Sequence, residues 1–205
     1  LSNDFILSIA VDKNDNMYVS TSRSIFFYNS SLTQITRLNS KYYSDFVTGS
    51  DDIIPMRFDS RGYLWSSKNG KGVLRLNPKT GESLVYSPEK LSDGTVRVIT
   101  EDCSHRIWLG TEKGITIINP NGTIEILRHK FQDLNQLSDN AIYAIICDAN
   151  QNMWIGSYFG GVDVILNSYK QFTWHEPGYA PQNIKGKVPR MMVESSPGVF
   201  WIATE

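Results

Sequence analysis

Asp102-Cys-Ser-His-Arg-Ile-Trp108, continuing as Leu-Gly-Thr-Glu-Lys-Gly-Ile115, decides the architecture, because the chain repeats it. Near copies stand at Asp12-Lys-Asn-Asp-Asn-Met-Tyr18, Asp59-Ser-Arg-Gly-Tyr-Leu-Trp65 and Asp148-Ala-Asn-Gln-Asn-Met-Trp154. A fifth, Ser195-Ser-Pro-Gly-Val-Phe-Trp201, keeps the spacing with Ser in the Asp slot. The aromatic anchors at 18, 65, 108, 154 and 201 are separated by steps of 47, 43, 46 and 47 residues. A period in the mid-forties fits a four-stranded propeller blade or a paired-helix repeat.

Local chemistry separates the two. An apolar and then a small residue follow most anchors, as in Val19-Ser20, Leu109-Gly110, Ile155-Gly156 and Ile202-Ala203; at Ser66-Ser67 the apolar slot is lost. A short turn leads to apolar runs such as Ile115-Thr-Ile117 and Val162-Asp-Val-Ile165, closed by Asn29, Asn77, Asn119 or Asn167. Alternating runs follow, among them Gly122-Thr-Ile-Glu-Ile-Leu127. Short β-branched and aromatic segments punctuated by Asx, Gly and Pro predict strands, and nothing sustains a helical period. A Leu-Ser segment opens three repeats, with Leu1, Leu91 and Leu137 each 11 residues before the repeat Asp. The expected fold is all-β: a β-propeller of four-stranded antiparallel blades. Boundaries are expected near 1–46, 47–90, 91–136 and 137–183, with a partial blade at 184–205. Four repeats and the start of a fifth form an incomplete arc, whose open edges point to a longer parent chain.

Composition narrows the function classes. Twenty basic and 21 acidic residues nearly cancel over 205 residues, which argues against a dedicated nucleic-acid or anionic-membrane binder. Apolar residues make up 40% and charged residues 20%, a globular balance. The best apolar run, Ala141 to Cys147, is far shorter than the ~20 residues of a membrane helix. Cys103 and Cys147 are too few for a disulfide framework or a structural zinc site, and their non-equivalent repeat positions argue against a bridge.

Ile107-Trp-Leu-Gly-Thr-Glu-Lys-Gly-Ile115 and Met153-Trp-Ile-Gly-Ser-Tyr-Phe-Gly-Gly-Val162 closely resemble the two-component regulator propeller repeat. The departures include Tyr18 for Trp, Ser195 for Asp, and Ser20 and Ala203 for Gly, with Ser66 in a slot that is elsewhere apolar. The resemblance implies seven-bladed propellers in the extracytoplasmic half of hybrid sensor kinases, chiefly of glycan-degrading Bacteroidetes. It implies a parent with further blades, an immunoglobulin-like linker, one membrane span, a histidine kinase, a receiver and a DNA-binding output domain. The segment itself would then be periplasmic and non-catalytic, without cofactor or direct nucleic-acid contact. Its partners would be an oligosaccharide ligand, the other blades and downstream domains, and a second copy of the parent in a homodimer. A propeller scaffold for protein–protein binding is the alternative, since fold alone does not give function. A streptogramin-lyase-like enzyme is a third, disfavoured because His105 lies on the turn opposite the face where ligands would gather.

Several residues invite chemistry and are read structurally. The repeat Asp residues suit turns, accepting a backbone N–H two residues on. Asp12-Lys-Asn-Asp-Asn16 only faintly resembles a calcium loop, lacking the central Gly and terminal Glu. The anchoring Trp residues are expected between blades, as large buried bodies whose N–H needs one partner. Gly110-Thr-Glu-Lys-Gly114 and Asn69-Gly-Lys-Gly72 lack the Gly-Lys-Ser/Thr of a phosphate loop. His105, His129 and His175 share no ligand spacing, so no metal site is expected.

The candidate site comes from counting five residues back from each repeat Asp or its Ser195 counterpart, which gives Leu7, Ile54, Arg97, Tyr143 and Arg190. These start the innermost strands, where long polar side chains would be costly if unpaired. Arg97 and Arg190 offer donor forks to sugar hydroxyls or a uronate, and Tyr143 offers stacking plus a hydroxyl. The same face is expected to gather Lys68, Asn69, Tyr158 and Phe159 from turns, with Tyr42, Tyr43, Phe46 and the 175–188 loop carrying Tyr179. The plainer alternative pairs the two arginines with neighbouring acids such as Glu101 or Glu194.

Overall fold

The computed structural model describes residues 5–21, 24–33, 35–37, 55–130, 136–167, 172–175, 184 and 188–205. The chain is all-β, with one 3-10 turn at Pro88–Lys90 among the described residues. It divides into two compact units, Leu1–Lys90 with Gly94–Val96, and Leu91–Asp93 with Arg97–Glu205.

The first unit holds two antiparallel four-stranded meanders. One is β1 (Ile6–Val11), β2 (Met17–Thr21), β3 (Ile25–Tyr28) and β4 (Ile35–Arg37). The other is β5 (Met56–Phe58), β6 (Leu64–Lys68), β7 (Gly72–Leu76) and β8 (Ser83–Tyr86). Their shared core joins Ala10, Tyr18 and Ile25 to Met56, Leu64, Leu74 and Leu76. Tyr18 meets Phe27 and Phe58 edge-on at 5.2 and 4.8 Å, so the blade without an indole still places an aromatic ring between sheets.

The second unit repeats the pattern with β9 (Val96–Glu101), β10 (Ile107–Thr111), β11 (Gly114–Ile118) and β12 (Ile124–Leu127). Next come β13 (Ile142–Cys147), β14 (Met153–Ser157), β15 (Gly161–Ile165) and β16 (Phe172–His175). A two-stranded sheet, β17 (Pro189–Ser196) with β18 (Val199–Thr204), follows. Every residue of β10 and β11 is buried, because both middle strands have a paired neighbour on each side and a packed sheet face.

Each repeat Asp organises the turn after it. Asp12 Oδ1 accepts the Asn14 and Asn16 N–H groups at 2.8 and 3.0 Å, and Asp102 Oδ1 accepts those of Ser104 and Arg106, both at 2.9 Å. The turn reading holds, and the second oxygen adds a contact. Trp65 Nε1 donates to Asp59 Oδ2 at 2.9 Å, Trp108 to Asp102 at 2.8 Å, and Trp154 to Asp148 at 2.9 Å. Burial opposes ionisation of Asp148, yet the bonds from Trp154 and Asn152 outweigh it and hold its pKa below the usual value. Three residues past each Asp the backbone turns left-handed, at Asp15, Gly62, His105 and Gln151 (φ 60°, 87°, 60° and 67°). Only one of the four is Gly, so the Asp-centred bonds hold a conformation the side chains disfavour.

The fifth anchor departs from expectation. Trp201 is 72% exposed, whereas Trp65 and Trp108 are buried. Ser195 has no carboxylate to receive an indole and bonds the Val199 carbonyl instead, and the β17–β18 sheet has no third strand among the described residues.

The Leu-Ser segments lock onto the third strand of their own sheet. Leu91 and Leu137 are buried, and the Ser92 N–H donates to Thr116 Oγ1 at 2.7 Å. Ser138 donates both its N–H and its hydroxyl to Asp163 Oδ2, each at 3.0 Å. Asp163 is 0% exposed, and its Oδ1 finds no partner among the described residues. Burial pushes its pKa up to about 6.

Candidate functional site

The second unit brings three of the sequence-derived residues into one row, and two bulges aim them. The β13–β14 register shifts between Ile142 and Ala144, and the β17–β18 register between Pro189 and Met191. Tyr143 and Arg190 therefore sit at the irregular step of each ladder, where an extra residue bends the strand and redirects a side chain. Leu7 occupies the matching step of β1, in the first unit.

Arg97 Nε lies 2.6 Å from Glu112 Oε1, and the Tyr143 hydroxyl donates to the same oxygen at 3.2 Å. The Arg97 guanidinium carbon stands 5.4 Å from the Tyr143 ring centroid, and that of Arg190 stands 5.7 Å from it. Tyr143 is thus flanked by two cations, each within range of a ring quadrupole. Tyr158 continues the row 5.3 Å from Tyr143, with Arg190 6.0 Å from its ring. Phe159 meets Tyr158 edge-on at 4.5 Å, is 72% exposed, and is held by its N–H donating to Asp139 Oδ2. Arg190 makes a bidentate pair with Glu205, Nε to Oε1 and Nη2 to Oε2, both at 2.8 Å.

Burial raises the Tyr143 pKa, Glu112 adds to the rise, and the phenol stays protonated. The hydrogen bond with Glu205 raises the Arg190 pKa and lowers that of Glu205.

The arginines pair with acids, but not with those expected. Glu101 meets His105 at 3.2 Å, and Glu194 accepts the Ala149 and Gly198 N–H groups. The acids that face the arginines, Glu112 and Glu205, both stand four residues after an anchoring Trp, the slot Tyr158 fills in the intervening repeat. That shared slot was the available signal. Proximity in sequence pointed elsewhere.

Lys68 closes β6 in the first unit and is buried, with its carbonyl accepting the Lys71 N–H. Asn69 follows it, bonded by the Thr95 hydroxyl at 2.9 Å. Ile54, Tyr42, Tyr43, Phe46 and Tyr179 lie outside the described residues. No group of three or more His, Cys, Asp or Glu side chains suited to a metal occurs among the described residues. A cavity of about 570 Å³ opens beside the Asp102 turn, lined by Arg106, Gln151 and Asn167 among others. Its strongest polar groups already pair, with Arg106 Nε 2.6 Å from Asp102 Oδ2. The exposed row is the better site, combining donor forks, carboxylate acceptors and aromatic faces.

Residues 1–23 and 136–159 match the family model of the two component regulator propeller. Those two segments carry the two component regulator propeller repeat. No curated protein matches it. Among solved structures, the extracellular domain of a hybrid two component system from B. thetaiotaomicron is 19% identical with a TM-score of 0.76. That likeness covers 97% of this chain and 26% of the other. PorZ, a surface component of the type-IX secretion system of Porphyromonas gingivalis, is 18% identical over 98% of this chain and 31% of its own (TM-score 0.70). Virginiamycin B lyase from Staphylococcus aureus is 17% identical over 98% and 66% (TM-score 0.68). The chain therefore spans about a quarter to a third of the first two. At these identities the likeness shows the fold alone, and the four-stranded sheets are β-propeller blades.

Proposed function

We propose that this chain is a non-catalytic, ligand-sensing segment of the extracytoplasmic propeller of a hybrid two-component sensor kinase. Its ligand would be an oligosaccharide released from a glycan, detected in the periplasm and relayed to transcription by domains of the parent chain. The observation that carries the reading is the Arg97–Tyr143–Arg190 row, with Tyr158 and Phe159 beside it: cation forks and aromatic faces gathered on three successive sheets. The repeat match and the likeness to an extracellular sensor domain support the placement.

The lyase-like reading fares worse on the same row. Glu112 already accepts two hydrogen bonds and Glu205 is held by both arms of Arg190, so neither is poised as a general base. Exposed apolar side chains on β1 (Ile6, Ile9, Val11) and on β17–β18 (Met191, Val193, Val199, Trp201) fit further blades of the parent as partners.

Calorimetry of the full-length protein against an oligosaccharide panel tests the site. Arg97→Ala and Arg190→Ala are expected to weaken binding by about 1.5–3 kcal/mol each, the worth of a charge-assisted hydrogen bond, without lowering the melting temperature. Unchanged affinity in both variants would exclude the row.

A further inference from the structure

The row carries two cations, Arg97 and Arg190, and two anions, Glu112 and Glu205, so its formal charge cancels. We propose that its ligand is a neutral saccharide, and that Glu112 and Glu205 make the row reject uronates and other anionic sugars. This rests on the sensing role above and narrows its ligand class.

The arginines are already answered. A uronate carboxylate seeking the Arg190 fork would have to displace Glu205 from both of its 2.8 Å contacts. It would then lie beside the carboxylate it displaced, and like charges at close range disfavour binding. At Arg97 the incoming acid would face Glu112, which also holds the Tyr143 hydroxyl.

What remains open suits a hydroxyl. Both terminal nitrogens of Arg97, Nη1 of Arg190 and the Tyr158 hydroxyl have no protein partner among the described residues, and neither does Glu112 Oε2. These groups mix donors with acceptors. A sugar hydroxyl donates and accepts at once, whereas a carboxylate only accepts and would leave Glu112 Oε2 unanswered. Phe159, 72% exposed and edge-on to Tyr158, supplies an apolar wall for the C–H face of a pyranose ring.

The test is calorimetry on the full-length protein with neutral gluco-, manno-, galacto- and xylo-oligosaccharides and with oligogalacturonides. Whichever neutral oligomer binds is compared with its own C6-oxidised form, which keeps the ring and linkage and adds the charge. The oxidised form is expected to bind at least about tenfold more weakly. Glu112→Gln with Glu205→Gln should shrink that ratio several-fold, whatever the change in the neutral oligomer's own affinity. Glu205→Gln alone, at an exposed position that leaves folding intact, should shift the ratio the same way.

An oligogalacturonide that binds best, with affinity falling as salt rises, would overturn the neutral-ligand proposal and leave the sensing role standing. A preference untouched by either Gln variant would overturn the role of the two acids. Binding of no saccharide in either set would overturn both this inference and the glycan-sensing role.

Discussion

Trp108 and Trp201 fill the same slot of two repeats, yet one is sealed in a core and bonded to Asp102 while the other faces solvent. Trp108→Ala is therefore expected to lower stability by about 3–5 kcal/mol, as for large aromatic deletions in cores. Trp201→Ala should change it by less than about 0.5 kcal/mol, and paired urea titrations would show the contrast. Asp163 gives a prediction of opposite character. Burial lifts its pKa to about 6, Ser138 pulls it back, Asp139 adds to the rise and His129 opposes it. The folded carboxyl thus holds its proton more tightly than the unfolded one. Its stabilising contribution is full below about pH 4 and is lost as pH rises through about 6, a change of about 3 kcal/mol. Asp163→Asn, whose amide oxygen still accepts from Ser138, should be the more stable protein at pH 8 and lose that advantage at pH 4. Equal urea midpoint differences at the two pH values would refute this. The turn role of the repeat Asp could be read from spacing. Its indole bond could not, because contact between residues six apart across a hairpin depends on ring orientation, which spacing leaves open. Glu112 and Glu205 escaped notice for a similar reason: an acid just past a strand end looks solvated until the strand beside it carries an arginine.

Strand order was legible because the repeat carries its own punctuation: an Asp turn, an anchor, a small residue and a closing Asn. The bulges at Tyr143 and Arg190 were not, since one extra residue in a ladder leaves no compositional mark. The small residue after the anchor now has a physical cause. A Cβ on Gly110 would come within 2.6 Å of Val98 Cγ1 and 2.8 Å of Ile142 Cγ2, the latter on β13 of the next sheet. On Gly156 it would meet Pro189 Cβ of β17 at 3.0 Å. These glycines set how closely the next sheet's first strand approaches. Gly110→Ala is expected to cost about 1–3 kcal/mol by overpacking, and Gly156→Ala less, because its nearest contact has more room. Thermal melts of the two variants would rank them, and the reverse order would contradict this account.

At the scale of the chain, each unit leaves an apolar face uncovered: Ile6, Ile9 and Val11 on β1 with Phe5 just before it, and Met191, Val193, Val199 and Trp201 on β17–β18. Faces of this kind drive association. Residues 1–205 expressed alone should show a mean mass that rises with concentration in sedimentation equilibrium, and a strictly monomeric profile would contradict the expectation. The period revealed that more than four blades' worth of pattern is present. The polar bonds that recur from sheet to sheet, Asp59 to Trp65, Asp102 to Trp108, Asp148 to Trp154, Ser92 to Thr116 and Ser138 to Asp163, all close within one repeat. Between sheets, apolar contacts such as Ile142 against Gly110 stand beside polar ones particular to a pair, the Tyr143 hydroxyl on Glu112 and the Ala149 N–H on Glu194. A blade copied by gene duplication would thus arrive with its anchor and turn bonds complete. Such repeats can multiply, or be lost, with the anchor of each copy intact, and only cross-sheet pairs such as Tyr143 with Glu112 have to be rebuilt.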